Sequence, residues 1–169
     1  MKRRFAVGLL TGLVWMPQVN AADGVALTTR VSGVVERVWV QAGQRVKQGT
    51  VLLRLDSVIP HALLDEASAD VARLDADVRD SQRELDRAQE LFKRTVSSTS
   101  ELDTATTRHA RAQAALQAAK ARQTIAQKNL ADTELKAPFN GRVTAVPGLP
   151  GTVVTAACQP ATLVMMRRE

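Results

Sequence analysis

The chain has 169 residues, with 23 Lys and Arg against 17 Asp and Glu, a formal net charge of +6 and an isoelectric point near 10.2. This length permits one small domain and one elongated element. A basic chain suggests nucleic acid as a partner, but three of the basic residues lie in the first four positions, ahead of an apolar run. The rest of the chain carries only +3, 20 basic against 17 acidic residues, so composition does not favour nucleic-acid binding.

The N-terminus is typical of a secretory signal peptide. Its basic start is followed by an apolar run from Phe5 to Met16, which is too short to span a bilayer. Small residues lead up to Ala21, so we predict residues 1–21 as a signal peptide cleaved after Ala21. An uncleaved membrane anchor is the alternative. The single cysteine, Cys158, excludes an internal disulfide, and we expect it to be a small apolar core residue.

Residues 24–58 form the first predicted block, a set of short strands. Val and Leu are dense here, and glycines interrupt them. Val51, Leu53 and Leu55 alternate along one face of the last predicted strand. We therefore predict that this block contributes half of a β domain.

Residues 60–134 form the second block, in which the apolar period changes to that of a helix. Apolar and small residues recur at spacings of 3 and 4 along two seams, which is the heptad pattern of a coiled coil. The first seam is Leu64, Ala67, Val71, Leu74, Val78, Ser81, Leu85, Ala88 and Phe92; the second is Leu102, Ala105, His109, Ala112, Leu116, Ala119, Gln123, Ala126, Leu130 and Thr133. Two seams of similar length predict an antiparallel hairpin that places Leu85 near His109.

The connection between the two predicted helices contains neither Gly nor Pro. Ser98 is followed three residues later by Glu101, which is the spacing of a capping box, so we predict that Ser98 starts the second helix. The hydroxyl side chains of residues 95–98 offer partners for the backbone groups that a helix end leaves unpaired.

Residues 135–166 repeat the first block, and 167–169 are predicted to be a C-terminal tail. Gly33 matches Gly141, Gly43 matches Gly151 and Val46 matches Val154, all at an offset of 108 residues. A repeated module that cannot bury its apolar face alone predicts two halves packed as a small sandwich. The predicted fold class is therefore α+β, a small β-sandwich with an inserted α-hairpin. The predicted turn glycines are Gly33, Gly43, Gly49, Gly141 and Gly151.

Two glycine-framed halves separated by a coiled-coil hairpin resemble the periplasmic adaptor proteins, or membrane fusion proteins, of the HlyD and RND efflux type. The matching stretches are VSGVVERVWVQAGQRVKQGTVLLRLD and LKAPFNGRVTAVPGLPGTVV. The resemblance implies a biotinyl/lipoyl-like β domain in the periplasm. It also implies an adaptor function in a tripartite efflux or secretion system, between an inner-membrane transporter and an outer-membrane channel.

The same resemblance implies a docking site for the outer-membrane channel at the hairpin tip. In the efflux branch, the tip carries an Arg, a Leu four residues later and a Ser seven after that. Here these positions are Arg87, Leu91 and Ser98. Spacing alone favours a simpler interpretation, in which Arg87 is part of a solvated helix face and Ser98 is only a helix cap. The resemblance further implies a homo-oligomeric ring, with six subunits as the expected number.

Members of this family usually continue into a β-barrel and a membrane-proximal domain, and we find no sequence for either. A natural short form, a split partner chain and a truncated gene are all open explanations. A periplasmic coiled-coil scaffold without a transport role is a further alternative. The exported substrate cannot be read from this sequence.

We predict no catalytic, cofactor-binding or metal-binding residues. The only histidines, His61 and His109, lie 48 positions apart, and no Cys/His metal spacing or phosphate-binding loop is present. A biotin or lipoyl carrier presents one lysine on a tight turn between its halves. In this sequence the helical block replaces that turn, and Lys47 and Lys136 lie elsewhere. We therefore predict neither an enzyme nor an acyl carrier.

Overall fold

The computed structural model describes residues 24–95, 98–156 and 161–168 of the chain. The predicted signal peptide and Cys158 therefore lie outside the described residues. The first half-motif contains β1 (Val25–Leu27), β2 (Gly33–Val38), β3 (Arg45–Val46) and β4 (Val51–Leu55). Two helices follow, α1 (Val58–Lys93) and α2 (Thr99–Ala131). The second half-motif contains β5 (Glu134–Lys136), β6 (Gly141–Ala145), β7 (Val153–Val154) and β8 (Val164–Arg168).

The strands form two four-stranded antiparallel sheets, and each sheet takes strands from both halves. One sheet has the order β1-β8-β6-β3 and the other has the order β5-β4-β2-β7. The pairings are related by a pseudo-twofold: β2 pairs with β4 and β7, while β6 pairs with β8 and β3. Neither half has a complete sheet of its own, which confirms the predicted two-half β-sandwich.

The core lies between the two sheets. Its most buried side chains come from both halves and are almost all aliphatic, as expected for alternating strands that each bury one face. The side chains that are nearly inaccessible to solvent are Val35, Leu52, Leu53, Leu55, Val143, Val154, Leu163, Val164 and Met166. The core extends nearly to the C-terminus because β8 pairs with β6 as far as Arg168. The predicted tail at 167–169 is therefore wrong for Arg167 and Arg168, which belong to β8.

The five predicted turn glycines have two different roles. Gly43, Gly49 and Gly151 lie in turns with φ between +83° and +88°, a conformation that glycine adopts without steric cost. The prediction is wrong for Gly33 and Gly141, which begin strands β2 and β6. At Gly141, an added Cβ would lie 2.2 Å from the carbonyl oxygen of Arg167 on the neighbouring strand. Close approach of two strands, and not a turn, requires glycine at that position.

The two helices form the predicted antiparallel hairpin. All of their buried residues lie on the two predicted seams, namely Leu74, Ser81, Leu85, Ala105, His109, Leu116 and Ala119. α1 begins at Val58, so Pro60 lies in its first turn, where no intrahelical N–H is needed. With 36 residues, α1 is about 54 Å long. Among the described residues, neither helix is apolar enough along its length to cross a bilayer.

Polar contacts across the hairpin show its register. The Ser81 hydroxyl lies 3.2 Å from Nδ1 of His109, and both side chains are buried. His109 thus meets Ser81, which is one turn from the predicted neighbour Leu85. Arg108 donates to both carboxylate oxygens of Glu84 at 2.6 Å. Closer to the sandwich, Gln123 donates to the Ser68 hydroxyl at 3.1 Å.

An ion pair lies at the point where the hairpin joins the sandwich. Arg54 of β4 and Glu134 of β5 face each other in the strand register and are joined by a 2.6 Å hydrogen bond. The Arg54 guanidinium also covers the Trp39 ring at 5.3 Å. The hydrogen bond from Arg54, followed by one from Lys136, lowers the pKa of Glu134 below its ordinary value of 4.5. The charged form of Glu134 is therefore favoured in the folded chain.

The close contact at Gly141 predicts that alanine substitution lowers the free energy of unfolding much more at Gly141 than at Gly33. Gly141→Ala should lower the free energy of unfolding by about 1–3 kcal/mol, because a strand backbone has to move to admit the methyl group. Gly33→Ala is the matched control, since the nearest atom to its Cβ would be in the Leu55 side chain, at an ordinary van der Waals distance of 3.5 Å. Urea unfolding followed by Trp39 fluorescence measures both. Equal midpoints for the two variants would contradict the steric role of Gly141.

The lowered pKa of Glu134 predicts a pH-dependent contribution to stability. This contribution is present above the unfolded-state value of about 4.5 and is lost as the pH falls through the lower folded-state pKa. We expect Glu134→Gln to cost up to about 1 kcal/mol near pH 7, since the pair is partly exposed. The difference from wild type should shrink as the pH falls below 4.5. Glu36→Gln, at an exposed strand position, is the control, and a pH-independent effect of Glu134→Gln would contradict the ion-pair explanation.

Candidate functional site

The far end of the hairpin is built from the end of α1 and the start of α2. α1 ends at Lys93, and the backbone N–H of its C-cap, Arg94, donates to the carbonyl oxygen of Glu90. The Arg94 side chain returns to the Glu90 carboxylate at 3.0 Å. Thr95 then takes a φ of +61°, the left-handed conformation in which helices commonly end on glycine. The chain thus turns without glycine, at the cost of strain in a β-branched residue.

Ser98 caps α2 as its spacing predicts. Its Oγ accepts the backbone N–H of Glu101 at 3.3 Å, and its own backbone N–H donates to the Glu101 carboxylate at 3.4 Å. Ser98 has an extended backbone, as N-cap residues usually do. These two bonds complete a capping box. The start of α2 is therefore held by side-chain hydrogen bonds within this segment.

Arg87 and Leu91 lie on one face of α1, one turn apart, within the last two turns of the helix. Arg87 is exposed and makes no ion pair with any residue of the described ranges. Leu91 is 40% exposed although it is a large apolar residue. The structure thus places Arg87, Leu91 and Ser98 at the same end of the hairpin.

Phe92 is a surface residue that the seam pattern placed in the hairpin interior. It is 40% exposed, as is its neighbour Leu91. The first seam reaches this point one turn before the chain reverses, so Phe92 has no full set of facing residues on α2. The signal for its exposure was its position as the last member of the seam. Leu91 and Phe92 are thus two exposed apolar side chains beside the turn.

The structure places the two histidines and the two lysines that the sequence analysis considered at separate positions in the fold. His109 is buried against Ser81 in the hairpin seam. His61 is exposed on α1, and its Nδ1 lies 3.1 Å from the Asp65 carboxylate. Lys47 lies in the short turn between β3 and β4, and Lys136 ends β5. Within the described ranges, no group of three or more His, Cys, Asp or Glu side chains could hold a metal ion.

The capping box predicts that stability depends on the side chain at position 98. Ser98→Ala should lower stability by about 1 kcal/mol, because the Glu101 N–H loses its acceptor. Ser98→Asp should retain the cap and most of the stability. Ser100→Ala, two residues further along in the first turn, is the control and should have little effect. Thermal unfolding followed by helical circular dichroism measures all three variants, and equal losses for Ser98→Ala and Ser100→Ala would contradict the capping role.

The fold and the sequence both match known proteins. A family profile described as a CzcB-like barrel-sandwich hybrid domain matches residues 24–163. An efflux pump periplasmic linker, BepF of Brucella suis, is 34% identical over 131 residues, which is 78% of this chain and 32% of BepF. The multidrug resistance protein MdtA of Pectobacterium atrosepticum is 34% identical over 74% of this chain and 30% of its own. The chain thus spans about a third of the length of these curated relatives.

Solved structures show the same fold. The crystal structure of MacA from Actinobacillus actinomycetemcomitans matches with a TM-score of 0.63 at 23% identity, covering 86% of this chain and 50% of MacA. That of ZneB from Cupriavidus metallidurans matches with a TM-score of 0.56 at 24% identity, covering 88% of this chain and 45% of ZneB. At these identities the likeness concerns the fold alone.

Proposed function

Because the chain belongs to the family of CzcB-like barrel-sandwich hybrid domains, we propose that it acts in the periplasm as the adaptor of a tripartite efflux or secretion system. Its family membership confirms the resemblance to membrane fusion proteins drawn from the sequence. The proposed partners are an inner-membrane transporter and an outer-membrane channel. Relatives named as an efflux pump periplasmic linker and a multidrug resistance protein support this function.

The observation that carries the proposal is the geometry of the hairpin. A helix pair about 54 Å long projects from a small sandwich and ends in exposed Arg87, Leu91 and Phe92. Cross-hairpin bonds near both ends keep the two helices together. Such an element can bridge a distance and present a surface at its end. The proposed function is therefore mechanical and needs no reacting groups.

We propose that the tip is the surface that meets the outer-membrane channel. The Arg87 guanidinium can donate to a carboxylate or to carbonyl groups of the partner. Leu91 and Phe92 offer an exposed apolar surface for a notch between helices of the channel. Ser98 holds the start of α2 through its capping box. Arg87 and Leu91 are exposed, so their proposed contributions are separate from that of the cap.

The proposed adaptor works as a homo-oligomeric ring, with six subunits as the expected number. Head-to-tail contacts between identical subunits close into a ring when the rotation between them is right. Export by the predicted signal peptide, residues 1–21, would deliver each subunit to the periplasm.

Substitutions at the tip separate docking from stability. Arg87→Ala and Leu91→Ala should abolish export while helical content and melting temperature stay near wild type, since both side chains are exposed. Truncation of an interface anchor commonly costs about 1–4 kcal/mol of binding free energy. Export is measured in the native host, with each variant replacing the wild-type gene.

Lys93→Ala is the matched control, because Lys93 is an exposed cation in the last turn of the same helix. It should export as wild type does. Normal export by Arg87→Ala and Leu91→Ala at equal protein levels would show that these residues are only a solvated helix end.

A further inference from the structure

A cleft of about 580 Å³ lies at the opposite end of the hairpin from the tip, where α1 and α2 leave the sandwich. Its walls are formed by Ile59 and Leu63 of α1 and by Ile125 of α2, and Val34 of β2 closes it on the side of the sheet. This volume falls within the range of clefts that bind small molecules, about 300–1,000 Å³. The cleft is formed by three elements, so its shape depends on the tertiary structure.

The large apolar side chains that line the cleft are exposed to solvent. Ile59 is 72% exposed, Ile125 61% and Leu63 49%. None of the three belongs to either predicted seam, so packing between the two helices does not explain why these positions are apolar. Large aliphatic residues that converge on one concave surface indicate a site for an apolar ligand.

The rim of the cleft is acidic. Its lining includes the carboxylates of Asp56, Glu66 and Asp70 but only one cation, Arg122. Arg122 already pairs with Asp70 at 3.7 Å. The Glu66 carboxylate makes no ion pair or hydrogen bond with any residue in the described part of the chain. This acidity is local, because residues 58–131 as a whole carry eleven Lys or Arg and eleven Asp or Glu.

We propose that this cleft binds a small amphipathic organic cation, with an apolar body against Ile59, Leu63 and Ile125 and its positive charge beside Glu66. Apolar walls favour the body of such a molecule, and an unpaired carboxylate at the rim favours its charge. A neutral or anionic molecule of the same shape would gain only the contact with the apolar walls. The site goes beyond the proposed adaptor function and does not depend on it.

Two probes of the same shape and opposite charge test the proposal. Tetraphenylphosphonium should bind the full chain at one site in isothermal titration calorimetry, and tetraphenylborate should bind at least about tenfold more weakly. Ile125→Ser should weaken tetraphenylphosphonium binding by about tenfold, because it removes apolar wall. Glu66→Gln should weaken it by about threefold and leave tetraphenylborate unaffected or bound more tightly.

Matched variants outside the cleft control for general surface effects. Leu149→Ser changes an apolar residue of equal exposure, 62%, and Asp103→Asn removes an exposed carboxylate of α2. Neither should change binding, and helical circular dichroism checks that each variant is folded. Equal binding of the two probes, equal effects of Ile125→Ser and Leu149→Ser, or no binding of tetraphenylphosphonium would overturn the proposal.

Sedimentation velocity distinguishes a second occupant of the same cleft, another copy of this chain. Self-association that Ile125→Ser abolishes and tetraphenylphosphonium does not reduce would assign the cleft to contacts between copies and overturn the proposal. Because all of these measurements use the purified chain, they can fail independently of the export experiment on the hairpin tip.

Discussion

The pairing of β4 with β5 is the constraint on which the rest of this structure depends. These strands come from different halves of the chain and flank the helical insertion, yet Leu53 lies opposite Leu135 and Arg54 opposite Glu134. The Leu55 N–H also donates to the carbonyl oxygen of Thr133 at 2.8 Å. Both ends of the insertion are therefore held at one edge of the sandwich, and two helices that start and finish there have to run antiparallel.

The same interleaving explains how the β domain buries its apolar side chains. Each half alone would expose the apolar face of every strand, and only the exchange of strands between sheets covers those faces. Core side chains such as Val35 and Val143 occupy equivalent positions in the two halves and are both fully buried. The insertion of a long hairpin costs this core little, because the sandwich needs only the two ends of the insertion.

Within the hairpin, polar side chains on and beside the seam help to align the two helices. A buried hydroxyl and imidazole, Ser81 and His109, satisfy each other only when they are aligned. Nη1 of Arg108 donates to both carboxylate oxygens of Glu84 beside them and supports the same alignment. The register of the helices also decides which residues lie at the two ends of the hairpin. The tip is at one end and the cleft at the other, and both carry exposed apolar side chains.

Sequence alone determined the order of the elements, because periodicity is a local property. The change from period 2 to spacings of 3 and 4, the repeat at an offset of 108 residues and the Ser98–Glu101 spacing each belong to a single stretch or to a direct comparison of two stretches. They predicted the two-half sandwich, the inserted hairpin, its buried seams and its cap. The positions of Arg87, Leu91 and Ser98 near the turn followed from the same pattern, while their role in docking remains a proposal.

Only the tertiary structure decided what depends on neighbours distant in sequence. Gly141 is required because Arg167 passes beside it, and β8 extends through Arg168 because β6 is there to pair with it. His109 meets Ser81 across the hairpin, a contact that depends on the alignment of two helices that are distant in sequence. Leu63 and Ile125 are 62 positions apart, and both lie outside the two predicted seams. They form a cleft because antiparallel packing brings the start of one helix to the end of the other.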